Sequence, residues 1–152
     1  MVNISIKKFS ELTVEELYNI LKIRNEVFVV EQQCVYQDCD GKDQESYHLV
    51  AMDNERVIGY LRIPNKNVSY MEVSIGRVLV TADVRGKGIA KDIMANAIDF
   101  IINELKENKI RISAQSYLEE FYESLGFIKV SKEYLEDGIP HIEMLLKRQK
   151  IN

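Results

Sequence analysis

The chain has 152 residues, 46% of them apolar and 29% charged, and carries a net charge of −4. That suffices for one domain over residues 1–152 with a core of its own, and no apolar run approaches the roughly 20 residues of a membrane span. The acidic balance argues against a nucleic-acid binder, which ordinarily shows a basic surface, and is compatible with a cationic partner such as an amine. The first residues lack the apolar segment of a signal peptide, so the expectation is a cytoplasmic protein. Cys34 and Cys39 are then reduced thiols, and with two His in the chain and no CxxC they make a poor metal site.

Residues 2–8 alternate apolar and polar and predict a short first strand. Thr13 and Glu16 have capping-box spacing ahead of a helix that carries Leu17, Ile20, Leu21 and Phe28 on one face. Arg24 falls inside that stripe, where an unpaired charge is costly; Glu31, Asp38 and Asp40 are its candidate partners. The loop of residues 30–46 is long, acidic and without periodicity, a pattern associated with function. Its Glu31, Gln32, Asp38 and Asp40 either recognise a cationic substrate or partner Arg24 and cap the loop, and the second reading is the simpler.

His48–Met52 and Arg56–Ile63 predict a hairpin turning at residues 53–55, with His48 structural. Residues 68–80 predict a longer strand, Met71, Val73 and Ile75 facing one way and Glu72 the other. Gly76 interrupts it and marks a bulge or a close backbone approach. A helix over about residues 87–107 shows two adjacent apolar ridges, Ile89, Ile93, Ala97, Ile101, Leu105 and Ala90, Met94, Ile98, Ile102, a face that lies on a sheet. Ile110–Gln115 is a strand parallel to 76–80, since a crossover helix joins them. A short helix at 118–125 stops at Gly126. Strands at 127–130 and 141–146 follow, with a turn at Asp137-Gly138-Ile139-Pro140. The order β-α-β-β-β-α-β-α-β-β makes one mixed α/β domain.

The chemistry concentrates where the apolar strand ending at Val80 runs through Arg85, Gly86, Lys87, Gly88, Ile89 and Ala90 into the long helix. The first amides of a helix have no intrahelical partner and sit at its electropositive end, so the turn suits a phosphate. A P-loop needs GxxxxGK[ST], which is absent. A dinucleotide fingerprint needs a third small residue where Lys91 stands, and an acid where Gln115 and Ser116 stand.

Arg85-x-x-Gly88-x-Ala90 after an apolar strand resembles the signature of the GNAT superfamily of N-acetyltransferases. Phe121-Tyr122-Glu123-Ser124-Leu125-Gly126-Phe127, one strand further on, resembles that family's FYxxxGF segment. Val27-Phe28-Val29-Val30-Glu31-Gln32-Gln33 and Asp137-Gly138-Ile139-Pro140-His141 are similar to the ElaA-type bacterial branch. The resemblance implies a central mixed sheet flanked by helices and acetyl-CoA as co-substrate. It assigns the pyrophosphate to Arg85, Gly86, Lys87, Gly88, Ile89 and Ala90, and the pantetheine to the backbone of Val78, Leu79 and Val80 in a gap opened by the bulge. Tyr122 is implied as the acid that protonates the leaving thiolate. Glu72, on a strand where some branches carry a catalytic glutamate, and His141 are both open as the base, directly or through water. The implied reaction is direct transfer of an acetyl group to a primary amine on a small molecule or peptide. The competing reading is a non-catalytic acyl-CoA sensor using the same cradle. No metal, membrane or nucleic-acid partner is expected, and the resemblance admits a homodimer.

Overall fold

A computed structural model describes residues 1–148 of the chain. Strand β1, Val2–Lys8, leads to helix α1, Val14–Arg24, whose capping box forms: Glu16 N–H donates to Thr13 Oγ1 at 3.0 Å and Thr13 N–H to Glu16 Oε1 at 2.9 Å. The helix widens into a π-helical stretch, Asn25–Glu31. Strands β2, Ser46–Asp53, and β3, Arg56–Pro64, form the expected hairpin, turning at Asn54 with φ +56°. With β4, Gly76–Val80, they complete an antiparallel sheet in the order β1-β2-β3-β4. Helix α2, Ile89–Asp99, continues as a π-helical turn to Glu104 and crosses to β5, Lys109–Gln115. Helix α3, Glu119–Ser124, and strands β6, Ile128–Lys129, β7, Tyr134–Glu136, and β8, Ile139–Lys147, follow. The second sheet runs β5-β8-β6, with β7 against β8.

Helix α2 joins the two sheets through the core. Ile93, Met94, Ala97 and Ile101 are wholly buried among Leu49, Leu61 and Ile63 of the first sheet and Ile110, Ile112 and Met144 of the second. The ridge and the direction of the crossover agree with the sequence pattern. Between the sheets themselves, one parallel bridge is found among the described residues, Val73 to Ile110, where Arg111 N–H donates to Val73 O at 3.0 Å. Beyond that seam β4 and β5 belong to separate sheets, and Val78, Leu79 and Val80 line a gap together with Gln115.

Three expectations change. The strand expected over residues 68–80 is confined to Gly76–Val80. The chain before it bonds to itself in a turn, Val68 N–H to Asn65 O and Asn67 N–H to Tyr70 O, with Asn67 at φ +67°. Val73 and Ile75 still reach the core, which is why the alternation resembles a strand, but Met71 is exposed. The bulge exists, yet the residue that turns is Arg77: pairing steps from Tyr60↔Leu79 to Arg62↔Gly76, and Arg77 takes φ +52°. Strand β7 is an addition; three residues are too short to carry a periodic signal.

What holds Arg77 in that left-handed conformation, a cost of about 1–3 kcal/mol for a non-glycine residue, is a closed ring of six alternating charges. Arg24 Nε meets Asp38 at 2.9 Å, and Asp38 meets Arg77 Nε at 2.9 Å. Arg77 Nη2 meets Asp40 at 3.4 Å, and Asp40 meets Arg62 Nη1 at 2.8 Å. Arg62 reaches Asp43 at 3.0 Å, and Asp43 returns to Arg24 Nη1 at 2.8 Å. Of the expected partners of Arg24, Asp38 is one; Asp40 serves the other two arginines and Asp43 was not foreseen. Arg24 is fully buried, its guanidinium over the Tyr60 ring at 5.9 Å. His48 supports the ring from below, with Nδ1 at 2.7 Å from Tyr60 Oη and Nε2 at 2.9 Å from Asp43 O, the structural role expected of it.

Burial pushes the Asp43 carboxyl up, but hydrogen bonds from Arg24 and Arg62 outweigh it and its pKa lies below the usual value. Burial holds the His48 imidazole below its usual value. Both groups bind fewer protons folded than unfolded, so each stabilises the protein above its unfolded pKa and loses that contribution as pH falls. Unfolding free energy from urea titrations is expected to decline below about pH 6.5 as His48 protonates, and again below about pH 3.9 as Asp43 does. Arg24→Met, which leaves Asp38 and Asp43 short of a buried partner, is expected to lower stability by about 3–5 kcal/mol in the same titration.

Candidate active site

The turn between β4 and α2 forms as the glycines suggest. Gly86 and Gly88 both take φ +81°, Gly88 at the N-cap of α2, and a Cβ on either would meet nothing within 4 Å, so the space above them is open. The helix's first backbone bond runs from Asp92 N–H to Gly88 O at 3.1 Å. Among the described residues the amides from Lys87 to Lys91 have no partner, which leaves a row of donors at the positive end of a helix dipole. A diphosphate fits this cradle. Gly59 sets the approach of the helix to the sheet, since a Cβ there would stand 3.4 Å from both Ala51 and Ile89. Arg85 closes the lower edge: Nε donates to Val80 O at 2.9 Å, and Nη2 pairs with Glu31 at 2.7 Å. Glu31 thus belongs to Arg85 rather than to Arg24.

The gap begins where Arg85 ends. Thr81 N–H donates to Ile58 O at 2.9 Å, and the register pairs Val80 with Gly59 and Leu79 with Tyr60. Antiparallel alternation therefore turns the backbone groups of Leu79 toward β3 and those of Val78 and Val80 away from it, into the gap. Of the three residues expected to bind pantetheine, Val78 turns its backbone edge to the gap, Val80 turns its N–H there while its carbonyl accepts from Arg85, and Leu79 presents neither group.

Phe28, Gln32, Val78, Gln115, Tyr117 and Ile139 line the passage from this gap into a cavity of about 590 Å³. Tyr122 and His141 both reach the cavity wall, from α3 and β8. Tyr122 is buried, packed edge-on against Phe121 and Phe127, and burial pushes its pKa up to about 12. Its phenol therefore stays protonated at neutral pH. His141 Nδ1 lies 2.7 Å from Ile139 O, and since a carbonyl only accepts, Nδ1 carries the hydrogen. Nε2 lies 3.3 Å from Glu136 of β7.

Glu72 is not brought to the cavity. Both its oxygens accept from Arg111, at 3.1 and 3.2 Å, and Arg111 also binds Glu143 at 3.2 Å, so the three clamp the seam between the sheets. The hydrogen bond from Arg111 holds the Glu72 carboxyl below its usual value, the wrong direction for a base near neutral pH. Asp40, Arg62 and Arg77 join the wall through the charge ring. Arg62 and Arg77 were missed in the sequence although the signal used for Arg24, a charge within an apolar run, also marks Tyr60-Leu61-Arg62-Ile63. Cys34 and Cys39 are both free thiols. Among the described residues no helix is long and apolar enough to cross a membrane.

Comparison with known proteins agrees with this geometry. The family model of the acetyltransferase (GNAT) domain matches residues 8–148. A UPF0039 protein of Synechocystis is 40% identical over 147 residues, 96% of each chain. Protein ElaA of Escherichia coli is 39% identical over 137 residues, 89% of this chain and 90% of that one. The crystal structure of Escherichia coli ElaA superposes with a TM-score of 0.91 at 36% identity, covering 97% of this chain and 100% of that one. An acyl-CoA N-acyltransferase from Pseudomonas aeruginosa gives the same TM-score and identity, covering 96% and 99%. With its mixed α/β fold, its glycine turn and these relatives, the chain belongs to the GNAT acetyltransferase family, in the branch that contains ElaA.

Proposed function

We propose that the protein transfers an acyl group, acetyl in the first instance, from acyl-CoA to a primary amine by direct attack within a ternary complex. The observation that carries this reading is the row of unpartnered amides from Lys87 to Lys91, continuous with the outward edge of β4 and with the cavity that holds Tyr122 and His141.

In this reading the diphosphate of CoA rests on the free amides from Lys87 to Ala90, with the side chains of Arg85 and Lys87 adding charge. Pantetheine runs along Val78 and Val80 as a further strand would, and an N–H of that edge meets the carbonyl oxygen as it gains negative charge. The neutral amine forms a C–N bond to the carbonyl carbon, the C–S bond breaks, and the thiolate takes the Tyr122 proton. A phenol that burial keeps protonated suits that last step. His141, with its hydrogen on Nδ1, offers the Nε2 lone pair to the amine's proton. Glu72, tied to the seam, plays no part.

Isothermal titration with acetyl-CoA is the first test: binding is expected at micromolar to sub-millimolar ligand, and none at millimolar ligand overturns the reading. Gly88→Val forces a Cβ into the cradle at a left-handed φ and is expected to weaken that binding about tenfold or more. Tyr122→Phe is expected to keep acetyl-CoA affinity while kcat on an amine panel, read by mass spectrometry, falls about 10²-fold or more. Tight binding with no transfer to any amine would instead favour the sensor.

A further inference from the structure

The wall of the cavity also carries Glu136, beside His141. The turn at Asp137, φ +51°, and Gly138, φ +77°, folds β7 tightly onto β8, pairing Glu136 with Ile139 and Tyr134 with His141. The imidazole is thereby fixed twice: Tyr134 stacks on it with centroids 6.2 Å apart and planes at 25°, and Nδ1–H is held by the Ile139 carbonyl. Nε2 then lies beside Glu136 Oε2, 3.3 Å away. The other carboxylate oxygen accepts from Ser113 Oγ at 3.4 Å, and Ser113 is itself hydrogen-bonded to Tyr134. With the imidazole neutral, two acceptors stand side by side at the cavity wall, one of them a formal anion. Such a pair is satisfied by a cationic donor.

The rest of the lining points the same way. Arg62, Arg77 and Asp40 are neutralised within the charge ring. The lining charges left over are Glu136 and Asp137 against Lys42, a negative excess.

We propose that Glu136 is the acceptor-binding residue of this site and that the acceptor arrives as a primary ammonium ion, seated between the Glu136 carboxylate and His141 Nε2. The inference rests on the acyltransferase reading above. One ammonium N–H donates to Glu136 Oε2 and a second points to Nε2. Transfer of that second proton breaks an ammonium N–H bond and forms Nε2–H. The positive charge moves from substrate to imidazole, still beside the same carboxylate, and the amine is left with the lone pair that attacks the thioester; the proton its nitrogen sheds after attack replaces the one Tyr122 gives to the thiolate.

The test uses 2-phenylethylammonium chloride and its neutral counterpart 2-phenylethanol as probes in ¹H–¹⁵N NMR titrations. Wild type, Glu136→Gln and Glu136→Asp are compared, with acetyl-CoA affinity measured on the same samples. The ammonium ion is expected to shift amides of residues 134–141 and of Ser113, and the alcohol to leave them in place. Glu136→Gln should weaken the ammonium response at least tenfold and Glu136→Asp should retain part of it, while acetyl-CoA affinity stays within twofold and reports an intact fold. Equal response to the alcohol, no response to the ammonium ion, or an undiminished response in Glu136→Gln overturns the proposal. Failure of the wild type to bind acetyl-CoA counts instead against the acyltransferase reading.

Discussion

The closed ring formed by Arg24, Asp38, Arg77, Asp40, Arg62 and Asp43 is the constraint on which the site depends. It ties four parts of the chain together: the last turn of α1, the loop of residues 30–46, β3 and the bulge in β4. Taking charges out of water costs several kcal/mol per ion, and mutual attraction in the interior offsets this only when the geometry is good and the remaining donors are used. The ring is therefore a poor source of net stability and a strong source of position. It holds Arg77 at a backbone conformation that its side chain would not otherwise choose. The bulge at Arg77 opens the run Val78 to Val80, which with Gln115 of β5 lines the gap along which the proposed co-substrate lies.

Much of this was legible in the sequence, and the limits are physical. The capping box at Thr13, the hairpin at Asn54, the ridges of α2 and the glycine turn at its head depend on residues close together in the chain, and each formed where its pattern predicts. Glu72 shows the opposite case. Its strand position suggested a base, but its fate was decided by Arg111, almost forty residues later, and no local pattern reports that encounter. Gly76 was the natural suspect for the bulge because glycine turns freely. The residue that turned was its neighbour, held by acids from a loop that has no period to read. Arg24 announced its need for a partner by standing in an apolar stripe; which acid would answer was a tertiary matter.

The site divides its electrostatics between two kinds of charge. The cradle uses backbone amides and a helix dipole, which need no particular side chains beyond small ones, so on the proposed reading any acyl-CoA meets the same donors. The cavity uses ionisable side chains, most of them cancelled by the ring, and the few left over give it a sign. On the proposed reading the donor is recognised by main chain and the acceptor by side chain, so substitutions affect the two substrates unequally.

The seam between the sheets extends that inequality to the whole molecule. One backbone bridge at Val73 and Ile110, clamped by Glu72, Arg111 and Glu143, joins two halves that are each continuous in sequence and internally paired. A shift of register in β5, β7 or β8 is not transmitted through a ladder of hydrogen bonds to β4. The half that carries Tyr122, Glu136 and His141 can therefore be remodelled over evolutionary time, one strand at a time, while the half that cradles the donor keeps its geometry. If the proposed activity holds, a lineage built on this chain can change what it acylates without relearning how to hold the acyl group.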